Sequence, residues 1–472
     1  MFRSIQQDMK PGVEKFTNFK RYFTIQPHLF LIGWTHKKNH RRTLKRENPG
    51  IIEELIKEAE SKCREEPYLA EVFRNCFTNT LNTTVREMED GTTHVITGDI
   101  PAMWLRDSTA QLRPYLLAAG KDEKLTQVIA GLVKRQFRCI LTEPYANAFN
   151  ETDNGNCWEK DFPDQNPWVW EMKFEVDSLC YPVQLAYLLW KNTGYTAHFD
   201  DTFLTGIKTI MDVFEREQYH ESRSQYRFQR KNAIHTDTLS RDGKGALVKE
   251  GCGLIWSGFR PSDDACTYGY LIPSNMFACV ILGYMSEICR EILHEEAAAQ
   301  RAERLREEIT AGIETYGIAR TAEFGEIYAY ETDGFGQYNL MDDANVPSLL
   351  SMEYLGYIPR RRDVAENTRR FLLSEANPYY YKGDRLSGIG SPHTPSRYVW
   401  HIAAAMEGLT AEKEEEKLQV LRRLAGTDGG KGMMHEGVFV DNPEIFTREW
   451  FSWANAMYSE LMLDFLGYRV KR

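Results

Sequence analysis

The chain has 472 residues, 42% of them apolar and 27% charged, with a net charge of −10. That is enough for a large core and up to about three domains, and the acidic balance argues against a nucleic-acid partner. No run of about 18 apolar residues exists for a membrane span. The nine Cys are scattered without a CxxC pair, which argues against a disulfide framework or zinc site and for reduced thiols in a cytoplasmic protein.

In chain order, residues 1–50 hold eleven Lys/Arg against three Asp/Glu. They read as a basic N-terminal extension, either a flexible arm or a mis-called start, ahead of a single domain at 51–472. The opening residues lack the apolar stretch of a secretory signal. From Ser108 the pattern turns helical. "STAQLRPYLLAA" (108–119), "YPVQLAYLLW" (181–190) and "SNMFACVILGYM" (274–285) are apolar nearly all round, as buried helices are. Between them, 125–138, 201–216 and 295–310 carry one apolar stripe each, with Leu125, Val128, Ile129 and Leu132 at i, i+3, i+4 and i+7. Further helices are predicted near 346–355, 364–374, 396–408, 411–425 and 449–466. Strand signals are short and local: "THVITGD", "YRFQRK" and "EIYAYETDGFG". Alternating strand–helix units are missing, which disfavours a parallel α/β fold. About twelve helices of two alternating kinds predict an all-α, toroidal (α/α)6 barrel, with small hairpins at loop ends.

The segments before the predicted inner helices share a composition. "TGDIPAMWLRDS", "WVWEMKFEVDSLC", "WSGFRPSDDACTYGYLIPS", "GQYNLMDDANVPS", "GIGSPHTPSRYVW" and "MMHEGVFVDNPEIFTREW" all mix charged or imidazole side chains with aromatics, Gly or Pro. Gathered at one end of a barrel they would line an acidic, aromatic-walled pocket. Carboxylates accept charge-assisted hydrogen bonds from sugar hydroxyls, and aromatic faces pack on sugar C–H surfaces. Neither GxGxxG nor GxxxxGKS is present, nor HExxH, nor GxSxG. No cofactor or catalytic metal is therefore expected, although the acid pairs leave a calcium site open. A carbohydrate site with surplus carboxylates fits glycoside hydrolysis, which needs one protonated and one ionised.

"GDIPAMWLRDSTAQLRPY", "FEVDSLCYP", "SGFRPSDDACTYGYLIPSNMFA", "MDDANVPSLLS" and "MHEGVFVDNP" resemble glycoside hydrolase family 125 over about residues 50–470. The resemblance implies an (α/α)6 barrel and a metal-independent, inverting exo-α-1,6-mannosidase acting on manno-oligosaccharides or N-glycan fragments. It also implies Asp263 as general acid and Glu436 as general base. Adjacency to Asp264 is expected to raise one carboxyl pKa of the pair. Inversion calls for roughly 6.5–9.5 Å between the two catalytic carboxyls.

Trp104, Arg106, Asp107, Asp264, Asp342, Asp343, His393 and His435 are the candidate substrate contacts. Asp107 could also cap a helix starting near Ser108. Arg106 could instead be a structural partner of Asp107 or Asp99, Asp177 a helix N-cap, and Trp450 and Trp453 core residues. Two rival functions stay open. One is another (α/α)6 enzyme of glucoamylase, trehalase or epimerase type; the other is a sugar-binding protein without turnover.

Overall fold

The computed structural model describes residues 49–231 and 233–472. The basic segment, up to residue 48, lies outside the described residues.

Thirteen helices carry the architecture: α1 Gly50–Lys62, α2 Pro67–Thr83, α3 Leu105–Leu112, α4 Glu123–Thr142, α5 Val176–Thr193, α6 Asp201–Glu217, α7 Ile272–Ile288, α8 Glu296–Tyr316, α9 Met352–Leu355, α10 Arg362–Leu372, α11 His401–Leu409, α12 Glu414–Ala425 and α13 Ser452–Phe465. Odd-numbered helices from α3 onward form the inner ring and even-numbered ones the outer ring. α11, α13, α3, α5, α7 and α9 pack in that order, while α4 lies against α6, α6 against α8 and α12 against α2. The last helix, α13, packs on α2 and so joins the two ends of the described chain. This is the (α/α)6 toroid.

Local chemistry sets the ends. Asp122 and Asp200 accept from the N–H groups of Leu125 and Phe203, capping α4 and α6. α5 stops at Gly194, whose φ of +75° supplies the left-handed C-cap. Pro114 has no N–H to continue α3, which tightens into a 3-10 turn at Arg113–Tyr115. The stripes read from sequence face inward as expected: Leu125, Ile129 and Leu132 on α4 and Phe203, Ile207 and Ile210 on α6 are buried.

Several boundaries differ from the periodicity. α3 begins at Leu105, three residues earlier than expected. The predicted helix at 346–355 shrinks to α9, because the Asp342 carboxylate accepts from the N–H groups of Leu349 and Leu350. The one at 396–408 starts only at His401, because Tyr398–Trp400 pairs antiparallel with Gly437–Phe439. The inner-then-outer order expected from Ser108 holds: α3, α5 and α7 are inner and are followed by the outer α4, α6 and α8, while α2, ahead of α3, packs on the last inner helix, α13.

Candidate active site

Short antiparallel ladders shape the loops at the N-terminal ends of the inner helices. Met103–Trp104 pairs with Ala148–Phe149, which pairs with Val169–Glu171. Tyr270–Leu271 pairs with Glu331–Thr332. Gly98 bridges to Phe451 at φ +137°, and a Cβ there would stand 2.9 Å from the Trp450 carbonyl oxygen. Only glycine lets the 97–104 loop lie this close to the entrance of α13.

These loops line a cleft of ≈ 370 Å³, its open mouth included. Asp263 and Glu436 both line it, with Trp104, Arg106, Asp107 and His393. Among the wall residues that sequence reasoning did not select are Thr97, Asn345, Trp400, Arg448 and Phe451. Trp453, left open as core, also faces the cavity, and its indole N–H is buried without a partner, like that of Trp104.

Arg106 holds the acidic wall together. Its Nη1 donates to Glu175 Oε2 at 2.6 Å and Asp177 Oδ2 at 3.2 Å, and its Nη2 donates to Asp263 Oδ1 at 3.1 Å. Its Nε lies 3.6 Å from Asp107 Oδ2. The guanidinium is thus occupied by carboxylates rather than offered to sugar hydroxyls; Nε alone lacks a hydrogen bond. Asn147 Nδ2 also donates to Asp263 Oδ1, at 3.2 Å, and Lys173 Nζ donates to the Asp263 carbonyl oxygen, at 2.8 Å. Asp263 takes a φ of +66°, a sparsely populated backbone state that several contacts must hold.

The expected effect of Asp264 on Asp263 does not occur. On this turn the two side chains part: Asp264 accepts from Ser262 Oγ at 3.2 Å and meets His393 Nδ1 at 3.3 Å, while Asp263 meets Arg106. Burial pushes the Asp263 carboxyl up, but Arg106, a hydrogen bond from Glu175, Lys173 and His393 outweigh it and hold it below the usual range. The carboxyls pushed up are its neighbours. Burial raises Glu175 well above its ordinary value, against Arg106 and helped by the Asp263 and Asp177 charges. Burial likewise brings Asp107 to about 6, with Arg106 opposing and Asp263 adding.

Glu436 is 6% exposed just before the Gly437–Phe439 strand, with Arg448 Nη1 3.6 Å from Oε1. Arg448 also pairs with Asp99, Nε lying 3.2 Å from both carboxylate oxygens. Asp99 is therefore a partner of Arg448, not of Arg106. Desolvation lowers the His393 pKa, but Asp264, Glu436 and Asp263 bring it up to about 9, while its side chain remains 41% exposed at the cavity mouth. A raised histidine pKa contributes stability fully below its unfolded value of about 6.5 and loses it as pH rises through the folded one. The melting temperature of His393→Gln is thus expected to lie below wild type at pH 6 and to converge on it toward pH 9, by calorimetry. A constant gap would contradict this.

Four expected contacts are corrected. Asp342 is fully buried, and both its oxygens accept backbone N–H groups. Asp343 is 1% exposed, with Oδ1 held by Asn345, and it is Asn345 that reaches the cavity. His435 is fully buried, its ring nitrogens meeting the carbonyl oxygens of Asp428 and Glu449, and it stacks on Phe446. Asp264 is one shell back, supporting His393. Asp177 is neither cap nor sugar ligand; Arg106 and Ser274 Oγ occupy its two oxygens. Asp107 sits in the first turn of α3, inside the helix rather than at its cap. Asp342→Ala is expected to cost about 0.5–2 kcal/mol, as loss of a helix cap does, with KM unchanged. A changed KM at full stability would return Asp342 to the sugar site.

Among the described residues, no group of three or more His, Cys, Asp or Glu is placed to hold a metal ion. Likewise, no helix there is long and apolar enough to cross a membrane. The model of the metal-independent α-mannosidases, glycoside hydrolase family 125, matches residues 66–463. The chain belongs to that family. It is 39% identical over 438 residues to the meiotically up-regulated gene 157 protein of Schizosaccharomyces pombe, covering 88% of this chain and 85% of that protein. It is 50% identical to a metal-independent α-mannosidase of Streptococcus pneumoniae solved in a non-productive complex with α-1,6-mannobiose. That match has a TM-score of 0.86 and covers 89% of this chain and 99% of the other. A bacterial glucoamylase bound to acarbose shares the fold alone, with a TM-score of 0.56 and 12% identity over 87% of this chain and 57% of its own.

Proposed function

We propose that this family member is an exo-acting α-1,6-mannosidase that inverts the anomeric centre, with Asp263 as general acid and Glu436 as general base. One observation carries the proposal: two carboxyl groups with separate attachments, Asp263 on Arg106 and Asn147, Glu436 beside Arg448, line one small cavity. A terminal mannose enters with its C–H faces against Trp104, Trp400 and Trp453, and Asp107, Asn345 and Arg448 take its hydroxyls. Asp263 protonates the departing oxygen while Glu436 draws a proton from the attacking water. The limited cavity volume favours a single terminal residue over a chain passing through, and the α-1,6 linkage follows the disaccharide bound by the Streptococcus pneumoniae relative.

The nine free cysteines, eight of them buried, support a reducing compartment such as the cytoplasm. Proton NMR of α-1,6-mannobiose digestion, with chelator present, tests the reaction. β-Mannose is expected as the first-formed sugar. First release of α-mannose, or release of glucose from α-glucosides but no mannose, would overturn the reading.

A further inference from the structure

Around the Arg106 guanidinium stand four carboxyl groups, those of Asp107, Glu175, Asp177 and Asp263. One guanidinium cannot neutralise four carboxylates in a buried site, so at least one proton must reside among them. The other nearby cations are each paired with carboxylates outside the cluster, Lys173 with Asp237 and Glu171, His393 with Asp264 and Arg448 with Asp99, so they act on the four groups without neutralising them.

The hydrogen bonds indicate where that proton sits. Asp177 has donors on both oxygens, and Asp263 Oδ1 has two. Glu175 Oε2 accepts from Arg106 and from Ser178 Oγ at 2.7 Å. Glu175 Oε1, in a residue 1% exposed, is the one buried oxygen of the four groups that no donor reaches. Glu175 and Asp263 accept from the two terminal nitrogens of the same guanidinium, Nη1 and Nη2, which makes the two carboxyls neighbours. Two neighbouring carboxyls on one cation, one of them with an oxygen that no donor reaches, are best satisfied by sharing a proton.

We propose that Glu175 is a positioning residue that stores the catalytic proton and hands it to Asp263. This deepens the assignment of Asp263 as general acid and rests on it. Glu175 in its acid form gives a proton to the Asp263 carboxylate and remains as a carboxylate on Arg106 and Ser178. Asp263 then protonates the glycosidic oxygen as the carbon–oxygen bond breaks, and the attacking water gives its proton to Glu436. At the end Glu436 holds one proton more and the Glu175–Asp263 pair one fewer; exchange with solvent through Asp263, whose side chain is 26% exposed, restores both. The groups facing Glu175 are Arg106 on α3, Asp263 and Cys266 on the 257–271 loop, Asp177 on α5, and Tyr226. Of these, Arg106 is the one cation, so losing the proton leaves the cluster anionic and slow to release another.

The test compares two leaving groups. α-Mannosyl fluoride leaves without an acid; the mannose of α-1,6-mannobiose does not. In Glu175→Gln, kcat/KM on mannobiose is expected to fall tenfold or more, roughly the effect of moving an acid by one pKa unit. Its alkaline limb should move to lower pH, while the fluoride rate stays within about threefold of wild type. Equal losses on both substrates with an unmoved pH profile would mark Glu175 as merely structural and overturn the proposal, as would no loss on either. Asp263→Asn separates the underlying assignment: if it cleaves mannobiose like wild type, the general-acid reading itself fails. Should Glu175→Gln not fold, a ¹³C carboxyl titration of the wild-type protein decides. A Glu signal that stays protonated at neutral pH supports the proposal; none doing so overturns it.

Discussion

Asp263→Asn is expected to lower kcat/KM for α-1,6-mannobiose by about 10²–10⁴, the usual contribution of a general acid. Its rate on α-mannosyl fluoride should stay near wild type. Glu436→Gln is expected to lose a similar factor on both substrates, because the attacking water needs its base whatever leaves. The contrast follows from the site's asymmetry. Asp263 hangs from Arg106 and Asn147, whereas Glu436 stands at the head of the Gly437–Phe439 strand beside Arg448. Asparagine keeps the hydrogen bond from Arg106, so binding of a ligand should survive in the Asp263 variant. Calorimetric titration with mannobiose checks that point. If both variants turned over mannobiose at the wild-type rate, the pair would have to be sought elsewhere in the cavity, first at Asp107.

Much of this was legible in the sequence because the barrel is built from periodic helices and the site from dense loops. Leu125, Ile129 and Leu132 announce an outer helix without any knowledge of its neighbours. The Asp, Trp and Arg of "PAMWLRDS" announce a cavity wall because those side chains are costly to bury unless partnered. Partner choice was not legible. Asp342 and Asp343 are chemically alike in sequence, yet the former closes a backbone turn and the latter holds Asn345. Asp263 and Asp264 are adjacent, yet a φ of +66° sends them to different partners. Asp177 could be read as a helix cap and Glu175 drew no reading at all, and only folding brings Arg106 from 69 residues away to meet Glu175. Arg448 could be found only once Gly98 had brought its loop beside Phe451.

Arg106→Gln is expected to destabilise the protein by about 3–5 kcal/mol, the cost of removing one partner from a buried ionic cluster. The residue is 2% exposed and binds Glu175, Asp177 and Asp263 directly. Without it, those carboxylates face one another in a dry site. The loss has a pH signature. Asp263 is held below its ordinary range, so its pairing stabilises above its unfolded pKa of about 3.9 and fades as pH falls. Asp107, pushed up to about 6, acts in the opposite sense: what it contributes is present in acid and is lost as pH rises through that value. Removing Arg106 abolishes the first contribution and raises every neighbouring carboxyl further. The gap between variant and wild type should therefore be widest near neutral pH and shrink toward pH 4, as the carboxyls take up protons. Urea unfolding at several pH values measures it. Arg106→Lys should fall between the two, because an ammonium restores the charge but not the fork that reaches three carboxylates at once. A stability for Arg106→Gln within about 1 kcal/mol of wild type, the range of an exposed ion pair, would mean that the cluster is neutralised by protons alone, and Arg106 would have to be reassigned from holding the acidic wall to binding the sugar.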